Sequence, residues 1–180
     1  IDDFFKNKNL ISKIKSEKNN RIFYINNKNE PTTSGVDILL KQIKNLKIKF
    51  DKVLGIGGGS TLDTAKAISN LLTNKGTSKK YQGWDLLKKK GIYKVGIPTI
   101  SGTGAESSKT CVLTDYNSGK KLGMNSEFSV FDEIVLDPDL TKTVSLDQYF
   151  YTACDTYIHC IESLSGSLRN PVADHYSTQA

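Results

Sequence analysis

A short apolar strand that runs straight into three consecutive glycines restricts this chain more than any other stretch. Val53, Leu54, Gly55 and Ile56 read as the strand, Gly57, Gly58 and Gly59 break it, and Ser60 stands where a helix N-cap belongs. Leu62, Ala65, Ile68 and Ser69 then recur at helical spacing, which puts Lys66 on the outer face. A strand–turn–helix of this kind leaves backbone N–H groups unpaired at the positive end of the helix dipole, where a phosphate can sit. Glycine suits such a turn because a Cβ would keep a ligand away from the backbone. The alternative is a tight turn with no ligand; three glycines followed by a capping serine favour the phosphate.

Neither common nucleotide motif is present. The dinucleotide pattern G-x-G-x-x-G would need glycine at position 60 after Gly55 and Gly57, and Ser60 is there instead. The Walker A pattern needs a lysine at the helix start, and the first one is Lys66. Asp63, one turn into the helix, favours the dipole but repels a bare phosphate. It is therefore either a plain N-terminal helix charge or a partner for a hydroxyl or amide of a ligand whose diphosphate lies on the glycines.

Composition narrows the function classes. The net charge of +6 over 180 residues is scattered, and its short runs (Lys88 to Lys90, Lys120 and Lys121) lack the aromatic interleaving of a nucleic-acid groove. No nucleic-acid partner and no membrane span are expected, since no segment approaches 18 uninterrupted apolar residues. Cys111, Cys154 and Cys160 form no C-x-x-C pair, which points to reduced thiols in the cytoplasm. The chain opens at Ile1 without a methionine and stops at Ala180 inside what reads as a helix, the pattern of a piece cut from a longer protein.

Taken in order, Ile1 to Asp3 reads as a strand tail followed by a short helix through Ile14, and Arg21 to Ile25 as a strand. Val36, Leu39, Leu40, Ile43 and Leu46 mark an amphipathic helix begun by Pro31-Thr32-Thr33-Ser34. With the strand at 53–56 this makes a parallel strand–helix–strand unit, so the glycine turn falls at the carboxyl edge of a sheet. Lys79 to Gly91 reads as a loop with a helical turn around Trp84-Asp85-Leu86-Leu87, and Tyr93 to Ile97 as a further strand closed by Pro98. The segment Thr99 to Glu106 is a second loop rich in hydroxyls and glycine, able to hold sugar and phosphate oxygens from the opposite side. Cys111–Asp115 and Lys121–Met124 alternate like a β-ribbon around Asn117-Ser118-Gly119, and Ile134 to Leu136 is the last strand. Ser145 with Gln148 then forms a capping box, and Asn170-Pro171 starts another helix. The expected organisation is a Rossmann-like parallel α/β sheet domain over residues 1–144, followed by the first helices of an all-helical domain over residues 145–180.

On the first of those helices Asp155 and His159 are four residues apart and share a face. A carboxylate beside an imidazole suits a divalent metal, but a catalytic ion ordinarily takes three or four protein ligands. An ordinary surface Asp–His pair is the competing reading, and His175, the one other histidine, reads as a surface residue.

Four segments together, GGGSTLDTAKA (57–67), PTISGTGAESS (98–108), LDPDL (136–140) and ACDTYIHCIES (153–163), resemble in sequence and order the iron-containing (group III) alcohol dehydrogenases. The resemblance implies an NAD(P)-binding domain followed by a helical domain that carries a divalent metal, Fe(II) or Zn(II). It implies that Gly57, Gly58, Gly59 and Ser60 hold the pyrophosphate, with Asp63 beside the cofactor and Thr99, Ser101 and Thr103 lining the same cleft. Asp155 and His159 would be the first two metal ligands, with two further histidines beyond this chain. The ribose-binding acid would be Asp3 or Asp2.

Three longer segments, 81–87, 121–138 and 147–167, look like the branch that contains 3-deoxy-D-manno-octulosonate (Kdo) 8-oxidase, although Ala153-Cys154 replaces the usual Gly-Met-like pair. That likeness implies a small sugar-acid substrate oxidised at a primary alcohol, within a homo-oligomer, expected to be a dimer. Two alternatives stand beside it: a dehydroquinate synthase-like lyase that uses NAD only transiently, and a nucleotide-binding fragment without activity.

Overall fold

The computed structural model describes residues 1–9, 12, 14, 20–26, 30–167 and 169–180. Of the helix expected to run through Ile14, Asp3–Phe5 form a 3-10 turn and Asn9, Ser12 and Ile14 are helical, while residues 10, 11 and 13 lie outside this set.

The first helix, α1 (Thr33–Asn45), starts where the Thr32 side chain accepts the Gly35 amide at 2.9 Å, and it buries Val36, Leu40 and Ile43 on one side. Strand β1 (Lys52–Gly57) follows, and helix α2 (Gly59–Thr73) leaves it through the glycine turn. Next come a two-residue strand β2 (Gly83–Trp84) and then β3 (Tyr93–Pro98), which runs parallel to β1 from Lys52↔Tyr93 to Gly57↔Pro98. Strands β4 (Thr110–Asp115) and β5 (Lys120–Asn125) form the expected antiparallel hairpin. A short β6 (Glu133–Ile134) closes the parallel sheet in the order β1-β3-β6. Helices α3 (Leu146–Ser165) and α4 (Pro171–Gln179) complete the chain.

Helix α2 is the centre of the molecule, packed on β1, β3, β4 and α1. Its buried Ala67, Ile68 and Leu71 join Val36 and Leu40 of α1 and Cys111, Leu113 and Met124 of the hairpin in the main core. Burial of this kind, at about 25 cal/mol per Å² of apolar surface, holds two separate sheets against one helix.

Several local expectations are corrected. Arg21–Ile25 forms only an isolated bridge, Asp2↔Ile25, and does not neighbour β1. Ile1–Asp3 lies between them: the Asp2 amide donates to the Ile56 carbonyl at 2.8 Å, and the Asp3 amide to the Ile25 carbonyl at 3.0 Å. The turn expected at Trp84–Leu87 is not helical; Gly83–Trp84 pairs with Met124 and Asn125 instead, a partnership with residues 41 positions away that local pattern does not reveal. The last strand stops at Ile134, with only the Val135 amide still bonded, to the Gly96 carbonyl at 2.9 Å. The two late helices start as expected: Ser145 accepts the Gln148 amide at 3.3 Å, and Asn170 accepts the Val172 amide at 3.0 Å. No helix among the described residues is long and apolar enough to cross a membrane.

Candidate functional site

β1 and β3 end side by side, so both glycine-rich loops emerge at the carboxyl edge of the parallel sheet, where open α/β sheets bind their ligands. The Thr99 amide donates to the Gly57 carbonyl at 3.1 Å and ties one loop to the other. Gly57 admits no side chain, because a Cβ there would lie 2.7 Å from Thr61 Cβ and 2.9 Å from Asp2 Cβ. Helix α2 begins two residues earlier than expected: its N-cap is Gly58, not Ser60, and no side chain caps it. Ser60 is already inside the first turn. The Thr61 and Leu62 amides bond back to the Gly58 carbonyl, both at 3.0 Å, which leaves the Gly59 and Ser60 amides at the positive end of the dipole.

A cavity of about 360 Å³ opens over this uncapped end. Gly58, Gly59, Ser60 and Thr61 form its floor, Ile100 and Thr103 of the second loop one wall, and Asp2 and Gln148 its remaining sides. The Thr61 hydroxyl is buried there and has no hydrogen-bond partner among the described residues. Asp2, rather than Asp3, borders the cavity and is 5% exposed. Of the second loop, Thr103 borders the cavity, whereas Thr99 is buried behind it and Ser101 faces outward. A larger, mostly apolar hollow of about 700 Å³ lies along β1 and residues 20–25, and it contains none of the three glycines.

Asp63 does not face the cavity. Its Oδ2 accepts the Val112 amide of β4 at 2.9 Å, which directs the carboxylate into the interior. Burial is the main reason its pKa is pushed up to about 6; the Val112 hydrogen bond and the charge of Lys66 pull the other way. Lys66, expected on the outer face, is completely buried. Its Nζ donates to the Ser108 carbonyl at 2.7 Å, the Ser108 hydroxyl at 3.0 Å and the Thr110 carbonyl at 2.9 Å. The same ammonium lies 5.3 Å from the centre of the Phe131 ring, and burial lowers its pKa. The signal that could have placed it is the run of apolar positions 62, 65, 67, 68 and 71, which covers the helix almost all round and leaves little outward face.

Helix α3 brings the second half of the site. Gly102, at a φ of +124°, presses against it so closely that a Cβ would lie 2.6 Å from the Thr152 carbonyl oxygen. The Thr156 hydroxyl donates to the Gly102 carbonyl at 3.0 Å. One turn on, Asp155 Oδ2 and His159 Nδ1 are 3.9 Å apart, both exposed and too distant to hydrogen-bond each other. The pair therefore faces one point of space with its donor atoms open. Among the described residues no group of three or more His, Cys, Asp and Glu side chains could hold a metal ion, so these two make at most half a site. His175 is exposed on α4, its ring centre 5.7 Å from that of Tyr176.

The family model described as iron-containing alcohol dehydrogenase matches residues 3–138. The chain belongs to the iron-containing alcohol dehydrogenase family. It is 39% identical over 130 residues to the sulfoacetaldehyde reductase of Bilophila wadsworthia (strain 3_1_6), covering 72% of this chain and 34% of that protein. It is 32% identical over 146 residues to the NAD-dependent methanol dehydrogenase of Bacillus methanolicus, covering 81% and 37%. Among solved structures, a 1,3-propanediol oxidoreductase superposes with a TM-score of 0.86 at 23% identity, over 99% of this chain and 47% of that one. The iron-containing alcohol dehydrogenase fold is thus that of this chain, which spans about a third of the length of these curated relatives.

Proposed function

We propose that the protein is a metal-dependent alcohol dehydrogenase that transfers hydride between a primary alcohol and NAD(P). The observation that carries this reading is the joining of an uncapped, glycine-lined helix start to a helix bearing Asp155 and His159 through one loop, residues 99–104. Family membership and the NAD-dependent relative support it.

The residues present fit the cofactor. The free N–H groups at the start of α2 and the unpartnered Thr61 hydroxyl would hold a pyrophosphate, in a cradle where a Cβ on Gly58 would come within 3.1 Å of Ile100. Thr103 would bind from the opposite wall, and the ribose hydroxyls would fall to Asp2 rather than Asp3. Asp63 has no place in this scheme, since its carboxylate is engaged with β4. Asp155 and His159 fit half of a divalent-metal site, with an imidazole–carboxylate set suited to Fe(II) or Zn(II). Such an ion, when bound, acts as a Lewis acid that lowers the pKa of the alcohol hydroxyl. This chain's own contribution is to place nicotinamide and carbinol carbon in contact, worth about 7–11 kcal/mol of the barrier in well-oriented systems.

The same proposal takes residues 1–144 as the cofactor-binding domain and 145–180 as the opening of the metal-binding helical domain. It also takes the full-length enzyme to be a cytoplasmic dimer. For the substrate it names C8 of Kdo, supported by the segments 81–87, 121–138 and 147–167; sulfoacetaldehyde, which the name of the 39% identical relative suggests, is the competitor.

The test is an assay of the full-length protein loaded with Fe(II) or Zn(II). Net NADH or NADPH formation with Kdo is expected, and its loss in Asp155→Ala and His159→Ala. Turnover that survives either substitution refutes the metal assignment. Reduction of sulfoacetaldehyde without oxidation of Kdo refutes the sugar acid, and absence of any net reduced cofactor favours the lyase.

A further inference from the structure

We infer that Gln148, in the first turn of α3, is a dinucleotide-binding residue: its carboxamide donates to a pyrophosphate oxygen from the α3 side of the cavity. The inference rests on the proposed dinucleotide reading of that cavity.

Ser145 and Gln148 have the sequence of a capping box, in which the cap hydroxyl accepts the amide of the third helical residue and that residue's side chain returns to the amide of the cap. Only the first of these two bonds forms. Ser145 Oγ accepts the Gln148 amide at 3.3 Å, whereas the Gln148 side chain makes no hydrogen bond among the described residues. The side chain borders the 360 Å³ cavity instead, together with Gly58, Gly59 and Ser60.

Local structure holds it there. Gln148, Thr152, Thr156 and His159 recur at i, i+4, i+8 and i+11 and so share one face of α3. The Thr152 hydroxyl bonds back to the Gln148 carbonyl at 3.1 Å, and Gly102 of the second loop packs against the Thr152 backbone. Thr156 donates to the Gly102 carbonyl at 3.0 Å. The second loop is therefore fastened to α3 one and two turns beyond Gln148, and the helix cannot slide along the cavity. One face of one helix thus reaches from the glycine-floored cavity to the Asp155–His159 pair.

The other groups around the cavity decide what the carboxamide meets. The Gly59 and Ser60 amides are not used by the helix, the buried Thr61 hydroxyl has no partner among the described residues, and Ser60 and Thr103 add further hydroxyls. A wall made mainly of donors suits a ligand that is rich in acceptors and negatively charged. Asp2 is the one carboxylate among the lining residues; it repels a phosphate and accepts from a sugar hydroxyl. The anionic part of the ligand therefore belongs with the glycines and Gln148, and the sugar with Asp2. A carboxamide is fitted to that place, because Nε2 donates without the charge of Asp2.

The test uses the full-length protein, with NAD+ and ADP as probes and Kd measured by titration calorimetry. Gln148→Leu keeps the bulk and removes the amide; Gln148→Glu keeps the shape and replaces the donor by a carboxylate. Gln148 is exposed, so neither change reaches the core. Kd for both probes is expected to rise about three- to tenfold in Gln148→Leu. In Gln148→Glu it should rise about tenfold or more, and the gap to wild type should narrow as salt is added. Urea unfolding should show Gln148→Glu as stable as wild type or more so, since a carboxylate in the first turn completes the capping box and suits the positive end of the helix. A side chain that only caps α3 would give the reverse, a Gln148→Glu protein that binds both probes as wild type does. That result, or a loss of affinity in Gln148→Glu that is indifferent to salt, overturns the inference. A wild-type protein that binds neither NAD+ nor NADP+ overturns the dinucleotide reading; one that binds normally beside indifferent variants overturns only the role of Gln148.

Discussion

Asp63→Asn should change how the stability of this protein depends on pH. In the folded state the Asp63 carboxyl is pushed from its ordinary 3.8 to about 6, chiefly by burial. A carboxyl with a raised folded pKa binds its proton more tightly in the folded protein than in the unfolded chain. Between pH 4 and 6 the folded state therefore carries the extra proton, and the stability this group contributes is fully present at low pH and lost as pH rises through about 6. At about 1.4 kcal/mol per pH unit the difference comes to roughly 3 kcal/mol, which partial exposure of the side chain reduces to about 2 kcal/mol. Asparagine keeps an oxygen for the Val112 amide and cannot ionise. Urea unfolding of both proteins from pH 4 to pH 7.5 is the assay. The variant should gain about 2 kcal/mol on the wild type across that range, most of it between pH 4.5 and 6.5. The attraction between Lys66 and the ionised Asp63 carboxylate acts only above about pH 6, and the raised value already includes it. Parallel curves for the two proteins would refute the assignment of a buried, proton-retaining carboxyl at position 63.

Other outcomes can be checked with standard measurements. Gly102→Ala places a methyl 2.6 Å from the Thr152 carbonyl oxygen at a backbone angle hostile to side chains, so urea unfolding should show a loss of about 2–4 kcal/mol. Lys94 is fully buried, with its Nζ 3.8 Å from Asp132 and no hydrogen bond among the described residues, and Asp132 keeps Lys90 at 2.6 Å; Lys94→Met should therefore be neutral or stabilising by about 1–2 kcal/mol by the same assay. The Cys111 thiol is buried and its pKa is driven up by that burial, so a thiol reagent such as DTNB should label Cys111 only after unfolding.

Much of the fold was legible because it is written in short-range pattern. The strand–glycine–helix at 53–69, the hairpin around Asn117–Gly119 and the caps at Ser145 and Asn170 each depend on residues within one or two turns of one another. What the sequence concealed depends on distant partners. Lys66 bonds to residues 42 and 44 positions away, and Asp63 to one 49 away, so their burial could not be read from helix periodicity alone. The same holds for Ile1–Asp3, whose insertion between Ile25 and Ile56 is a matter of sheet order. Ser60 misled for a different reason: a good capping residue inside the first turn is indistinguishable by type from one at the cap, and only the bond it fails to make tells them apart.

The segment from Thr99 to Ser108 is fastened at its start, middle and end, and this gives it the character of a spacer cut to length. Adding or removing a single residue anywhere along it must tear out one of the fastenings. Sequence change there is confined to swapping side chains, and the distance from the glycine bend to the helix of Asp155 and His159 is inherited as a fixed dimension.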